Sequence, residues 1–188
     1  INKFIVATNQ NDILHRAITN GAYNVENVSE TISPSMDIQI ASNFERLIFD
    51  LNNHSDKKTI DVMKGIKEKG KYEIQKEILD KINVDFLSSR MDETEVLNTI
   101  KTVYEKFDKV LDPHSAIGYG AFDKVDLKGN NIVLATAHPC KFPGAIEKAI
   151  NIKAELPDEL LFILDEKENY DIIDNDLNKI KQYIKERI

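Results

Sequence analysis

Apolar positions come first as a continuous run, Phe4-Ile5-Val6-Ala7, closed by Thr8 and Asn9, which predicts a buried strand over 3–9. Asn9-Gln10-Asn11-Asp12 then offers helix caps. Ile13, Leu14, Ala17 and Ile18 follow at helical spacing, and Gly21 sits where such a helix stops. A strand leading into a helix is the repeating unit of an α/β sheet. Residues 22–36 are polar and read as irregular. Ser42 and Glu45 have the spacing of a capping box ahead of Leu47, Ile48, Phe49 and Leu51, predicting a helix over 43–51. Residues 53–111 keep helical periodicity with one extended stretch near 84–87; Ser55 and Asp92 are its candidate N-caps, and Glu95 completes a second possible box. Asp112-Pro113 opens another helix, with Pro at the first helical position. Asn131–Thr136 reads as a second buried strand and 137–142 as the loop after it. Helices are expected at 144–151 and at about 175–187.

This order predicts an α/β chain in three stretches: 1–52, a mixed-charge helical subregion at 53–111, and 112–188. Charge sharpens the division. Residues 53–111 hold 12 basic and 12 acidic side chains, the composition of solvated helix faces, whereas 155–176 carry nine acids against one lysine. The whole chain of 188 residues has a net charge of −7, which argues against nucleic acid or an anionic membrane surface as the main partner. The longest apolar run, Leu160–Leu164, is far too short to span a bilayer. A single cysteine, Cys140, excludes an internal disulfide and fits a reducing, cytoplasmic setting. A chain that opens almost inside a strand is expected to be part of a longer protein.

In an open α/β sheet, ligands gather beyond the carboxyl ends of the strands. Two such ends carry suitable groups: Thr8-Asn9 with Asn11 and Asp12, and the stretch from Thr136 through His138 to Lys141. Arg46, at the first turns of a helix, is physically suited to an anion, since free N–H groups and a guanidinium converge there; an ion pair with Glu45 or Asp50 would serve it equally well. His15, His54, His114 and His138 lack metal-ligand spacing, so no metal site is expected. There is no Walker A, G-x-S-x-G or G-x-G-x-x-G pattern.

Four stretches, taken in order, resemble the microbial threonine synthases. They are Phe4–Asn9 with Asn11-Asp12; Ser33-Pro34-Ser35-Met36-Asp37-Ile38-Gln39 running into Ser42-Asn43-Phe44-Glu45-Arg46; Leu111–Tyr119 with its Asp112-Pro113-His114-Ser115 start; and Leu134–Pro143 with Thr136-Ala137-His138-Pro139. The resemblance implies a fold-type II enzyme that uses pyridoxal 5'-phosphate to convert O-phospho-L-homoserine and water to L-threonine and phosphate. It also implies that this chain is the C-terminal half only. None of the 21 lysines lies in the family's S-x-K-D context, and the glycine-rich loop for the cofactor phosphate should precede Ile1. The reactive lysine is therefore expected upstream, in a missing N-terminal half, leaving the chain alone inactive.

Carried over by position, Thr136 matches the residue whose hydroxyl faces the cofactor's pyridine nitrogen. Asn43 and Arg46 fall near the substrate phosphate, and His138 and Lys141 share the Thr136 loop, where they would add electrostatic stabilisation. Cys140 departs from the family's alanine. Two other readings compete: another fold-type II lyase resembling threonine dehydratase, and an acidic α/β binding domain with no chemistry of its own. The mixed-charge insert at 53–111 and the Thr136–Pro139 loop weigh against the first.

Overall fold

The computed structural model describes residues 1–125 and 128–188. Strand β1 (Phe4–Thr8) and helix α1 (Ile13–Asn20) form as their periodicity dictates. Gly21 ends α1 in the left-handed region at φ 79°, its N–H returning to the Ala17 carbonyl. Strand β2 (Ala22–Asn24) comes next, then a single 3-10 turn at Pro34–Met36, and helices α2 (Phe44–Leu51) and α3 (Asp56–Lys69). Strand β3 (Lys71–Glu73), helix α4 (Lys76–Asp85) and strand β4 (Phe86–Arg90) lead into α5 (Glu93–Phe107) and α6 (Pro113–Lys124). A 3-10 turn at Pro139–Lys141 precedes α7 (Pro143–Ile150).

Two small sheets organise the first 154 residues, which form one compact unit. β1 pairs in parallel with β4, Phe4 opposite Phe86 and Thr8 opposite Arg90, and the two phenylalanine rings stack at 5.4 Å. β2 pairs antiparallel with β3. The parallel pair is thus made by a strand from the mixed-charge stretch lying beside the first strand of the chain. Helices α1 to α4 enclose one core around Ile13, Ile18, Tyr23, Ile48, Ile66 and Ile82. A second core joins α5, α6 and α7 through Met91, Val96, Ile100, Ile117 and Ile146. The first turn of α6, Pro113 through Ile117, is buried all round, as expected of a helix whose apolar residues do not keep to one face.

Residues 155–188 form a separate unit: a 3-10 stretch at Asp158–Leu164 and helix α8 (Leu177–Lys185), capped by Asp176, which accepts from the N–H groups of Asn178 and Lys179. None of its residues is fully buried.

Three expectations are corrected. Residues 131–136 form no strand, and Ile132 and Leu134 are 85% and 77% exposed. An Ile-Val-Leu run becomes a strand only with a ladder partner beside it, and among the described residues no strand pairs with 131–136. β1 is half-exposed rather than buried, because β4 covers one edge only and Phe4 lies at the open end. The Ser42/Glu45 capping box does not form. Asn43 already has helical dihedrals, and the N–H groups of Phe44, Glu45 and Arg46 are taken by the carbonyls of Ala41, Ser42 and Asn43, so no donor is left for a capping side chain. The box at Asp92 and Glu95 does form.

Candidate functional site

The polar stretches singled out along the chain meet at two carboxylates, one half-buried and one buried. The first is Asp37. Its Oδ1 accepts from the side chains of Asn9 at 2.7 Å, Asn11 at 2.9 Å and Thr31 at 2.7 Å, and its Oδ2 accepts from the Thr31 N–H at 2.8 Å. Asn9 also donates to Ser33 Oγ at 3.0 Å. The residues after β1 are thereby locked to the segment before α2. Next to them Asp12 pairs with Arg16 at 2.8 Å and with Arg90 at 3.2 Å, tying the ends of β1 and β4 together.

The second carboxylate is Asp112, 1% exposed at the N-cap of α6. Oδ1 accepts from the His114 N–H at 2.9 Å and lies 3.0 Å from His114 Nδ1; Oδ2 accepts from the Ser115 hydroxyl. The Ser35 N–H donates to His114 Nε2 at 3.3 Å, so Nε2 is the bare nitrogen and Nδ1 carries the proton given to Asp112. The His114 ring packs on Phe142 at 4.8 Å between centroids. His114 therefore touches the 33–35 turn, its own helix start and the 136–143 loop together. Three stretches that lie far apart in sequence are joined by one imidazole.

Thr136 sits at the rim of this network. Its N–H donates to Ser115 Oγ at 3.0 Å, and its own hydroxyl lies 3.5 Å from the same oxygen, on a residue that is exposed as a whole. His138 is exposed and caps the turn at Pro139–Lys141, its Nδ1 accepting from the Cys140 N–H at 3.2 Å. Among the described residues the opposite ring nitrogen has no hydrogen-bond partner. Lys141 is exposed, and among the described residues it makes no ion pair.

Asn43 and Arg46 stand elsewhere, at the exposed start of α2. They line an open depression with Phe49, Asp50, Asp56 and Glu45. Three carboxylates face one guanidinium there, yet among the described residues Arg46 pairs with none of them at ion-pair distance. No hydrogen bond among the described residues links Asn43 or Arg46 side chains to the Thr136 loop. No cluster of His, Cys, Asp or Glu among the described residues is placed to hold a metal, and no described helix is long and apolar enough to cross a membrane. Residue-by-residue reading missed Asp112, His114 and Ser115 as a unit. The available signal was an Asp followed at +2 and +3 by two side-chain donors.

The fold and these residues have relatives. A family profile described as threonine synthase, C-terminal, matches residues 115–184. Threonine synthase of Pseudomonas aeruginosa is 35% identical over 98% of this chain, which spans 40% of that protein's length. The structure superposes on a threonine synthase from Brucella melitensis solved with pyridoxal phosphate bound, at a TM-score of 0.87 and 38% identity, covering 99% of this chain and 40% of that one. The yeast threonine synthase structure gives a TM-score of 0.83 at 35% identity, with 99% and 42% coverage. The chain thus spans about two fifths of the length of the relatives it matches. In sequence and in fold the chain is similar to the threonine synthases over that part of their length, and its residues 115–184 match the profile of their C-terminal region.

Proposed function

We propose that this chain forms one wall of the active site of a pyridoxal phosphate enzyme that converts O-phospho-L-homoserine and water to L-threonine and phosphate. The supporting observation is a coincidence of two kinds of likeness. Parts of three of the four stretches resembling threonine synthases, at Ser35, Asp112–Ser115 and Thr136–Phe142, meet around His114, with Thr136 at the edge.

The residues present fit such a cofactor. Thr136 carries a hydroxyl on an exposed residue whose main chain is pinned, so its proton is available to an outside acceptor. A pyridine nitrogen is such an acceptor. A hydroxyl donates to it without supplying the negative charge that would hold a proton on the ring. When bound, pyridoxal phosphate supplies an electron sink for charge developing on the substrate carbons. The chain's own part is orientation and electrostatics: Thr136 fixes the ring, while His138 and Lys141, on the same loop, place positive or polar groups near developing negative charge. Asn43 and Arg46 bind the substrate phosphate by charge-assisted hydrogen bonds.

The reactive lysine and the cofactor-phosphate loop come from the N-terminal half of the same cytoplasmic protein. In that assembly residues 1–52 and 112–188 serve the cofactor-binding α/β domain, with 53–111 a helical subregion.

Thr136→Val in the full-length protein tests the reading. It keeps the shape and removes the donor, so cofactor affinity or turnover should fall by about 1–3 kcal/mol, the usual cost of leaving a buried acceptor unmatched. A cofactor titration and a turnover assay matching the parent would rule Thr136 out as the ring's partner.

A further inference from the structure

Ser115 lies between the buried carboxylate and the exposed loop, and its single proton decides what Thr136 can do. The Ser115 hydroxyl donates to Asp112 Oδ2. With its proton committed there, Ser115 Oγ can only accept. It accepts the Thr136 N–H at 3.0 Å, which fixes the main chain of that residue. It cannot donate to the Thr136 oxygen at 3.5 Å. In that contact the Thr136 hydroxyl can only be the donor, and at 3.5 Å its proton rests on a long, weak acceptor that a better-placed one displaces. One helical turn further along α6, Gly118 admits the same segment: a Cβ at that position would lie 3.2 Å from Val133 Cγ1. The run 131–136, which has no ladder partner among the described residues, thus meets α6 at two points, Val133 on Gly118 and Thr136 on Ser115.

We infer that Asp112 and Ser115 are positioning residues for Thr136: the carboxylate claims the Ser115 proton, and the bare serine oxygen fixes the Thr136 amide. This leaves the Thr136 hydroxyl a donor only, able to turn from its long contact with Ser115 Oγ to the ring nitrogen. The inference rests on the reading of Thr136 as the cofactor's partner, and its tests separate the two. No bond to the cofactor is made or broken by Ser115; its effect passes through Thr136 alone.

The test compares Ser115→Ala, Ser115→Thr and Thr136→Val in the full-length protein. Cofactor affinity comes from titration with pyridoxal phosphate, and amide hydrogen exchange at residue 136 is followed in the cofactor-free protein. The parent Thr136 amide should be protected. Ser115→Ala should speed its exchange about tenfold and weaken cofactor binding about tenfold, the scale of one lost hydrogen bond. Ser115→Thr retains the hydroxyl and should restore both to within about threefold of the parent. A structural role alone would not be rescued in amide protection and cofactor affinity together. An unprotected Thr136 amide in the parent would overturn the inference even if Ser115→Ala failed to fold. Parent-like cofactor binding by Ser115→Ala, beside a weakened Thr136→Val, would overturn it while leaving the reading of Thr136 intact. Parent-like binding by both variants would bring down the reading of Thr136 and this inference with it.

Discussion

Helices α2 and α6 both begin in stretches that resemble the same family, and they begin in opposite ways. At α6 every side chain of the start is buried and committed: Asp112 caps, His114 bridges to Ser35 and Phe142, and Ser115 holds Thr136. At α2 the side chains of Ser42, Asn43, Glu45 and Arg46 are exposed, and no side-chain cap forms. A carboxylate taken out of water must be met by donors, so the α6 start is costly to alter and acts through what it holds in place. Exposed groups at a helix start hold nothing in place and remain available to a ligand. Similarity to one family thus marks two kinds of residue, those that position and those that touch.

The largest effect should therefore come at Asp112. Asn keeps its shape but turns an NH2 toward one of the donors that the carboxylate accepts, from His114 or from Ser115. Asp112→Asn should destabilise the full-length protein by about 2–3 kcal/mol, the scale of a lost charge-assisted bond plus an unmet buried donor. Asn43→Ala at the start of α2 should stay within about 0.5 kcal/mol, as is usual for a surface change. Urea unfolding midpoints of the two variants measure the difference directly. Equal midpoints would erase the contrast between the helix starts.

The sharpest complement is Arg46→Ala. If α2 presents groups to a ligand, this change should leave stability within about 0.5 kcal/mol of the parent. It should weaken O-phospho-L-homoserine about ten- to a hundredfold, with a much smaller loss for an analogue lacking the phosphate. Glu45, Asp50 and Asp56 share the depression, so Arg46 must also offset like charge facing the phosphate. Equal losses for both ligands would make Arg46 a partner of those acids and remove α2 from the substrate site.

How much of this was legible in the sequence divides along the same line. Helix starts decided within four residues were readable: Ser55, Asp92 and Asp112 each cap the helix predicted for them. Ser42 was misread because a cap needs an extended residue at its own position, and the turns through Ala41 and Asn43 remove it. The strand expected at 131–136 was misread because a strand is a property of a pair, and no single stretch states whether its partner is present. β2, only three residues of Ala-Tyr-Asn, is too short to carry a period. At the site, Thr136, His138 and Lys141 were visible as a polar loop after an apolar run. The joining of Ser35 to His114 was not, since 79 residues separate them and nothing local encodes the meeting.

A smaller test uses a helix start whose local signal did hold. Asp92 accepts from the Glu95 N–H at 2.9 Å, and Glu95 returns to the Asp92 N–H at 2.8 Å. Asp92→Ala should cost about 1 kcal/mol, the ordinary value of an N-cap. That places α5 between the committed start of α6 and the uncapped start of α2. The Glu95 arm is also sensitive to pH. Lys124, hydrogen-bonded to it at 2.6 Å, holds its carboxyl below the usual range; partial burial opposes this, and the Asp92 N–H adds to it. Because the folded state favours the ionised form, this contribution is complete above the unfolded value of about 4.3 and is lost as pH falls through the lower folded value. Lys124→Met removes the principal cause. Unfolding midpoints of parent and Lys124→Met should therefore differ at pH 7 and converge as the pH falls below about 4. The Glu95 side chain is 40% exposed, so solvent screens the pair and the gap should be the smallest of the effects set out here. A gap that persists unchanged into acid would mean that Lys124 acts through its other contact, the Arg90 carbonyl at 2.6 Å, and ties α6 to β4 independently of the box.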